Sequence, residues 1–464
     1  MTETPHIERL SPLDLLMPSI FIRAVLVFQP VTPTPAGGIQ QPLQQGLNRL
    51  SRQVPWLSGQ IYSTVSDQNT RSLEIRSNKD DKPSLVDKGM VSAYYKDLAS
   101  RGMPPDEIPD DVWPVPGMTD DAALATGAPV FAASLFRFAD EGVGLCVCIH
   151  HAAVDATGFS EIIRLWARNV TDSTFALPNS LECRNQRLSR ALSQDLATLS
   201  AISPDTLLAR HPEYSKIPPA LPKEFPACTS RIFNIPIHWI NILKELLGKR
   251  SSPPTTNTII CALIWSCITR VRLLRAPGRS DETSHLVTAV NCRSRLGTRE
   301  DIFSTSENPY LGNAVLYSLA KHPIQTLATA DSDPISSLAE ICALIATSQS
   351  PTTINSQHIA EVHRLVESIP DPRALFVGWD LFGSRDLTIT SWANADLYGA
   401  DFRGGLGAPA FVRFPYMEAD GVAIIMPRKK RDEDGEVLEV VVALRRDDMA
   451  ALEEDEMWQT LVSK

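Results

Sequence analysis

His151 and Asp155 are the residues whose type and spacing point most directly to chemistry. They lie in the stretch 149–155, Ile-His-His-Ala-Ala-Val-Asp, where an apolar strand is predicted to end and an amphipathic helix to begin. A histidine at such a junction can act as a general base, because near neutral pH its imidazole is poised to accept a proton. A His-x-x-x-Asp pattern alone is a weak signal. The competing interpretation of His151 is a core histidine satisfied by a backbone carbonyl.

A second motif near the C-terminus strengthens the first. Residues 401–409 read Asp-Phe-Arg-Gly-Gly-Leu-Gly-Ala-Pro. The glycines resemble a phosphate-binding loop, but the Lys-Ser/Thr pair that binds nucleotide phosphates is missing. We therefore interpret this segment, including Asp401 and Gly405, as a tight structural turn near a domain interface.

Bulk composition excludes several classes of protein. The 464 residues exceed one ordinary hydrophobic core, so two domains are expected. A net charge of −10 argues against nucleic acid or an anionic membrane as the main partner. The N-terminus lacks the pattern of a secretory signal, and no run approaches the roughly twenty apolar residues of a membrane span. The eight scattered cysteines predict reduced thiols in a cytoplasmic protein without a metal site.

Strands and helices alternate in both halves of the chain. Apolar periodicity predicts a strand over 20–28, a helix through Leu43, Leu47 and Leu50, a hairpin over 131–149, and a helix from 159 to 170. The second half predicts strands near 230–237, 286–290 and 387–391, helices near 242–247 and 259–271, a hairpin over 422–444 and a final helix. The class is therefore α/β (α+β) with mixed sheets. We place the domains at 1–205 and 228–464, joined by a polar, proline-punctuated crossover at 206–227.

With these elements in place, the chain resembles the BAHD family of CoA-dependent acyltransferases, most closely the fungal branch typified by trichothecene acetyltransferase. The resemblance covers nearly the whole chain. It rests on 47–59, His151-x-x-x-Asp155, 257–265, 290–296, 309–313, 390–392, the loop at Asp401 and 420–422. Two positions depart from the family pattern. Ala156 replaces a common glycine after the motif Asp. Arg403 stands where the fungal pattern has glycine, which would cost about 1 kcal/mol or more if that position needs positive φ.

The resemblance implies two similar domains with the active site in a channel between them, and an element near 380–400 that packs with the first half. It implies acyl transfer from a CoA thioester to a hydroxyl or amine, in a monomer and without an acyl-enzyme. We assign His151 as general base, since forming a free alkoxide first would cost about 12 kcal/mol. The resemblance assigns the Thr390 hydroxyl, with Trp392 beside it, to the oxyanion. His150, facing the other way, is interpreted as structural.

Supporting roles follow from the same resemblance. Asp155 is expected to pair with Arg293 and hold the catalytic loop, although a triad role beside His151 stays open. Asp401 and Gly405 are expected to be scaffold residues. Phosphates of CoA need cations near the channel mouth, and Lys249, Arg250, Arg270, Arg272 and Arg275 surround the helix of Trp265, although solvated surface charge is the competing interpretation. The candidate CoA contacts are Lys249, Arg250, Asn257, Arg295 and Ser391.

The expected reaction is O-acetylation of a hydroxylated secondary metabolite by acetyl-CoA or another acyl-CoA. One alternative is a condensation-type enzyme, which also carries His-His-x-x-x-Asp but takes acyl groups from carrier proteins. The other is a repurposed relative whose pocket binds or cyclises a metabolite; Arg403 and Ala156 are its only support. The identity of the acceptor and the length of the acyl chain are not encoded in a single sequence.

Overall fold

The computed structural model describes residues 6–30, 38–66, 69–78, 80–178, 182–249, 253–297, 303–328, 333–403, 406–429 and 435–462. Strands and helices alternate along the chain, as the apolar periodicity predicted. The strands are β1 His6–Arg9, β2 Phe21–Phe28, β3 Gln60–Val65, β4 Arg71–Ser77, β5 Leu85–Met90, β6 Ala128–Pro129, β7 Phe131–Arg137, β8 Val143–His150, β9 Tyr214–Ser215, β10 Cys228–Pro236, β11 Thr283–Asn291, β12 Val315–Pro323, β13 Phe376–Val377, β14 Leu387–Ser391, β15 Phe411–Arg413, β16 Val422–Ile425 and β17 Val437–Arg445. The helices are α1 Pro12–Leu15, α2 Gln40–Gln53, α3 Tyr95–Ser100, α4 Asp121–Thr126, α5 Ala156–Thr171, α6 Arg184–Ala191, α7 Ser193–Thr198, α8 Pro204–Arg210, α9 Ile237–Gly248, α10 Thr256–Arg275, α11 Ile324–Ala328, α12 Pro334–Ser348, α13 Ser356–Glu367, α14 Arg446–Glu454 and α15 Glu456–Leu461.

The first half contains a four-stranded sheet of order β1-β4-β3-β6 and a five-stranded sheet of order β15-β2-β8-β7-β5, and the His151-x-x-x-Asp155 motif follows strand β8 of the latter. Strand β8 is buried along its whole length between β2 and β7, both antiparallel to it. Its side chains alternate between two cores, because successive residues of a strand point to opposite faces. Cys146 and Cys148 lie in one cluster, and Val147 and Ile149 in the other. The two cysteines therefore point to the same face of the sheet.

The second half builds a six-stranded mixed sheet of order β10-β17-β16-β14-β11-β12. Helix α10 covers one face and is the apolar centre of that core. Among the described helices, α10 alone is long and apolar enough to cross a membrane by composition, and most of it is buried inside the protein. The opposite face of the sheet, through Ile232, Ile424 and Val441, packs against the core of the first half. The two halves therefore share an apolar interface.

One segment of the second half completes the first domain. Strand β15 pairs antiparallel with β2, and most of the buried apolar residues from Trp392 to Phe414 belong to the first core. A segment of the second half packs with the first half, as predicted, but it lies at other residues than predicted. Residues 387–391 stay in the second sheet, and the exchanged segment runs from 392 to 414 because the chain leaves the sheet after Ser391.

The crossover differs from its sequence interpretation. The predicted boundary at 205 falls inside α8, and three short helices occupy 184–210, where the sequence showed only weak periodicity. Leu188, Leu192 and Leu207 form a third core with helix α13 and the segment 290–316. The periodicity is weak because each helix is too short to repeat its apolar positions more than once or twice.

Gly158 sets how closely the two halves approach. A β-carbon there would lie 2.1 Å from the carbonyl oxygen of Leu311. We therefore expect Gly158→Ala to cost about 1–3 kcal/mol of unfolding free energy, the usual cost of overpacking, and to lower activity by displacing the start of α5. Urea unfolding and initial rates measure the two effects. Gly278→Ala is the matched control, since a β-carbon at Gly278 meets nothing within 4 Å. Equal stability of the two variants would contradict the prediction.

Candidate active site

His151 lies immediately after strand β8, where the backbone turns toward helix α5. Its N–H donates to the carbonyl of Ile20 at 2.8 Å, which continues the pairing of β8 with the β2 side of the sheet. Its own carbonyl accepts a hydrogen bond from Asn313 Nδ2 at 2.9 Å. The backbone of His151 is thereby held from both halves of the protein.

The imidazole of His151 is suited to act as a base. The side chain is half-buried, and its Nδ1 is buried with no hydrogen-bond partner among the described residues. Burial lowers the pKa of His151 below its ordinary value of 6.5, an effect that the nearby carboxylate of Asp155 partly opposes. A lowered pKa keeps the ring neutral at pH 7, and only the neutral ring can accept a proton.

This lowered pKa predicts the pH dependence of the reaction. Only the unprotonated ring can accept a proton, so kcat/KM is expected to have an acidic limb whose midpoint lies below pH 6.5. Along this limb kcat/KM should fall about tenfold per pH unit below the lowered pKa of His151. Initial rates over pH 4.5–8.5, each checked for retained fold by circular dichroism, measure this profile. An acidic limb whose midpoint lies at or above 6.5 would contradict the assignment.

His150 has a structural role, as the sequence predicted. It is fully buried and packs edge to face on Phe21, with 5.3 Å between the ring centroids. Its Nδ1 accepts a hydrogen bond from the N–H of Ala152 at 3.2 Å. Burial lowers the pKa of His150 to about 4, so this ring is neutral throughout the working range. It supports the turn that carries His151.

Asp155 and Arg293 form the buried ion pair that the resemblance implied. Arg293 donates from Nη1 to Asp155 Oδ2 at 2.8 Å and from Nη2 to Oδ1 at 2.9 Å. The same carboxylate caps helix α5 through the N–H of Gly158 at 3.0 Å and accepts the N–H of Ala314 at 2.9 Å. Burial by itself would raise the pKa of Asp155, but the guanidinium outweighs it and holds the pKa below its usual value. These four bonds make Asp155 a positioning residue.

Asp14 and Asn313 form a second support that the sequence analysis did not identify. Asn313 donates from both its backbone N–H and its Nδ2 to Asp14 Oδ1, at 2.9 and 2.8 Å. The same Nδ2 holds the carbonyl of His151. Asp14 closes a capping box with Ser11 at the start of α1. Ser-Pro-Leu-Asp at 11–14 is a recognisable helix start, but nothing in that local signal shows that its carboxylate reaches a residue 299 positions away.

Arg184 supports the same loop from a third direction. It pairs with Glu8 at 3.0 Å and donates from Nη1 to the carbonyl of Ala153 at 2.6 Å. Its guanidinium also lies 4.6 Å from the ring centroid of Trp56. Both charged residues are buried. The loop 151–155 is therefore fixed at three points, which are the carbonyls of His151 and Ala153 and the carboxylate of Asp155.

Thr390 and Trp392 lie where the chain leaves the second sheet for the first core. Trp392 is buried and packs edge to face on Phe159 of helix α5 at 5.6 Å. Thr390 pairs in register with Ile424 of β16, whose side chain packs against the first core. Paired residues of neighbouring strands share a face of the sheet, so Thr390 faces the interdomain side. Its role as oxyanion donor stays a prediction.

The structure describes four of the five predicted CoA contacts, and each of the four lies in a different environment. The guanidinium of Arg295 already donates to the carbonyls of Gln349 and Ile354 at 2.6 and 2.7 Å, so its contact with CoA stays a prediction. Ser391 is exposed and lies on the face opposite Thr390. Lys249 is exposed at the end of α9. Asn257, in the first turn of α10, has a buried Oδ1 without a partner in the described part of the chain. Arg250 lies outside the described residues.

The arginines of helix α10 are engaged within the second domain. Arg270 pairs with Asp455 at 2.6 Å, Arg272 with Asp420 at 2.7 Å, and Arg275 with Asp448 at 2.6 Å. Their guanidinium groups are therefore paired with carboxylates, and a contact with CoA phosphates stays a prediction. The three arginines bind the helix to the loops and the helix that surround it.

The Asp401 loop is anchored by Phe402. That ring is buried against Phe28 and Trp166, at 5.9 and 5.7 Å between centroids. Asp401 itself pairs at 2.8 Å with Arg403, whose side chain is 80% exposed. Such an exposed pair contributes about 0–1 kcal/mol, so Phe402 replaces Asp401 as the main scaffold residue. Gly405 lies outside the described residues.

Arg403 does not carry the backbone strain that its departure from the family pattern suggested. Positive φ occurs at four non-glycine positions within the described residues, and Arg403 is not one of them. We expect Arg403→Gly to leave kcat/KM within about threefold and the unfolding free energy within about 0.5 kcal/mol, as for other exposed sites. Arg403→Ala, which keeps the β-carbon, is the control for backbone flexibility. A loss of activity above tenfold in both variants would give the guanidinium a functional task.

Comparison with known proteins places this arrangement among transferases. The Transferase family model matches residues 4–458. The chain is 28% identical to trichothecene 8-O-acetyltransferase of Fusarium sporotrichioides over 96% of each chain. It is 26% identical to O-acetyltransferase ptmV of Penicillium ochrochloron, covering 97% of this chain and 95% of the relative.

Solved structures share the fold over almost the whole length. The crystal structure of TRI101 of F. sporotrichioides, complexed with coenzyme A and T-2, superposes with a TM-score of 0.79 at 22% identity, covering 99% of each chain. Vinorine synthase superposes with a TM-score of 0.64 at 17% identity, covering 100% of this chain and 95% of its own. The mixed-sheet, two-half architecture predicted from the sequence is thereby confirmed.

Proposed function

The chain belongs to the Transferase family, the BAHD acyltransferases, and we propose that it transfers an acyl group from an acyl-CoA thioester to a hydroxyl group of a small acceptor. The observation that carries this proposal is the position of His151. Its ring, kept neutral by burial, follows strand β8 in the first half. Asn313 of the second half holds the backbone carbonyl of His151, and Arg293 holds Asp155 at the end of the same loop. A base at such a junction can serve two substrates that enter between the halves.

His151 accepts the proton of the acceptor hydroxyl while the oxygen attacks the thioester carbonyl. Nδ1 is the buried nitrogen, so Nε2 is the atom that we assign to the proton. General-base assistance of this kind contributes about 10²–10⁴-fold to the rate. The new bond is C–O, and the carbonyl oxygen takes the negative charge of the tetrahedral intermediate.

Thr390 is the residue that we assign to that charge. Its hydroxyl lies on the interdomain face, and Trp392 fixes the end of β14 against helix α5. A preorganised donor facing a developing oxyanion contributes about 3–4 kcal/mol in other acyl transfers. When the C–S bond breaks, the proton held by His151 passes to the leaving thiolate. The products are an ester and CoA with a free thiol, so no acyl-enzyme is required.

We propose that the acyl group is acetyl and that the acceptor is a hydroxylated secondary metabolite. The support is the set of relatives that align over nearly their full length, which are trichothecene and other O-acetyltransferases. We further propose that the enzyme acts as a monomer, because every residue of the proposed site comes from one chain, and that it works in the cytoplasm, because its eight cysteines are free thiols.

A single mass-spectrometry experiment both tests the proposal and identifies the acceptor. The protein and its His151→Ala variant are each incubated with acetyl-CoA and a pooled extract of hydroxylated metabolites. A product heavier by one acetyl group, made by the unmodified protein alone, is the expected result. Activity only with carrier-bound acyl groups would favour a condensation-type enzyme. Equal products from both proteins would remove His151 as the base.

A further inference from the structure

A compact group of metal-ligating side chains lies apart from the residues that hold His151. It consists of His211 and Glu213, between helix α8 and strand β9, with His358 and Glu361 in the first half of helix α13. One ligand atom each from His211, Glu213 and His358 lies within 4.8 Å of the others. All four residues are buried or nearly so. The cysteine pattern predicted no metal site, and in the sequence His211 and Glu213 lie almost 150 positions from His358 and Glu361.

The distances fit a single small cation at the centre of three ligands. Glu213 Oε1 lies 3.0 Å from His211 Nδ1 and 3.1 Å from His358 Nε2. Ligands at about 2.0–2.2 Å from a tetrahedral zinc ion lie about 3.4 Å from one another. The two separations from Glu213 Oε1 need to open by only a few tenths of an ångström, and the two histidine nitrogens lie within 4.8 Å of each other.

Hydrogen bonds within the described residues do not satisfy this group. His358 Nε2 is buried and faces Glu213 Oε1, yet it has no hydrogen bond of acceptable geometry in the described structure. A buried polar atom without a partner costs about 1–3 kcal/mol. A cation between the nitrogen and the carboxylate would satisfy both atoms at once.

The surroundings supply the outer contacts typical of a metal-bound histidine. His211 Nε2, the nitrogen that points away from Glu213, lies 3.1 Å from Glu361 Oε2. Glu361 is in turn held by Arg210 at 2.8 Å and by Gln357 at 3.3 Å. Metal-bound histidines characteristically donate their second N–H to a carboxylate, which fixes the tautomer and orients the ring.

We propose that His211 Nδ1, Glu213 Oε1 and His358 Nε2 bind one Zn²⁺ ion that joins the crossover segment to helix α13. Two imidazoles and a carboxylate are a ligand set that zinc accepts, with water completing the tetrahedron. The ion has a structural task. It fixes the 211–215 segment, whose strand β9 pairs only with the two-residue strand β13 in the described fold, against a helix of the second half.

Zinc binding by the full 464-residue chain tests the proposal without reference to catalysis. The protein is purified without a histidine tag, stripped with EDTA, dialysed and titrated with ZnCl₂ in a calorimeter. Metal content after gel filtration is measured by mass spectrometry. We expect one equivalent of zinc, a micromolar or tighter Kd and a melting temperature that rises with zinc concentration. Less than half an equivalent, or no rise in melting temperature, would overturn the proposal.

Matched variants locate the ion. His358→Gln keeps a polar side chain of similar reach but removes a ligand, and we expect it to weaken binding at least 100-fold. Glu361→Gln leaves the three ligands in place and should weaken binding about 10–100-fold through the outer contact. His238→Gln, on the exposed face of α9, and His151→Ala should bind as the unmodified chain does. Unchanged affinity in both His358→Gln and Glu361→Gln, or loss of binding in His151→Ala, would overturn the assignment.

Discussion

Replacing His151 by alanine is expected to lower kcat/KM by about 10²–10⁴-fold while leaving the fold intact. The variant loses the group that removes the hydroxyl proton, and that assistance accounts for rate factors of this size. Binding and orientation of the two substrates remain, so some residual rate is expected. The rate is measured as CoA thiol released in the presence of the acceptor found by mass spectrometry. KM for the acyl-CoA should change by less than about threefold.

The control for this experiment is His238→Ala, which removes an exposed imidazole from helix α9. It should retain full activity. Circular dichroism and melting temperature establish that the His151→Ala variant is folded. A folded variant that keeps more than a tenth of the normal kcat/KM would mean that another group is the base, and the mechanism proposed above would be wrong.

Breaking the Asp155–Arg293 pair is expected to have the largest effect on stability. Removing one partner leaves a buried charge uncompensated, which typically costs about 3–5 kcal/mol. Asp155→Ala also removes the cap of α5 and the acceptor for Ala314 N–H. Urea unfolding measures the loss of free energy. Asp401→Ala is the matched control, because its partner Arg403 is exposed, and we expect a change of less than about 1 kcal/mol.

Arg293→Met separates positioning from direct catalysis. If Asp155 acts by holding the loop, removing its partner should lower kcat by a factor similar to that of Asp155→Asn, about 10-fold or more. KM for the acyl-CoA should stay within a few-fold in both variants. If Asp155 instead belonged to a triad with His151, Arg293→Met would retain most of its kcat while Asp155→Asn would not. The bidentate pair, with both carboxylate oxygens already engaged, favours the first outcome.

Local features of this protein could be predicted from the sequence. Apolar periodicity located β2, β8, α5, α10 and β14 to within a few residues, because strands and helices repeat over distances shorter than about a dozen positions. Asp155 could be recognised as a cap for the same reason. The ordered motifs from residue 47 to 422 were enough to indicate the family, which the comparisons confirmed over residues 4–458.

Contacts between distant segments could not be predicted in this way. Asp14 and Asn313 are 299 positions apart, and Arg295 binds carbonyls more than 50 positions away. The local sequence around an aspartate at a helix start, or an arginine after a strand, is the same whether the side chain faces solvent or a buried partner. Only the path of the chain decides which carbonyl or carboxylate meets each charge.

The sequence by itself determined the family and the fold class, and it predicted His151 as the base. The resemblance to the family implied the Asp155–Arg293 pair, which the structure contains. The tertiary structure decided the rest. It moved the exchanged segment to 392–414, gave Arg295 a structural task, and brought His211, Glu213 and His358 together. The physical reason is that secondary structure is encoded by neighbouring residues, whereas burial and charge pairing depend on segments that meet only when the two halves pack.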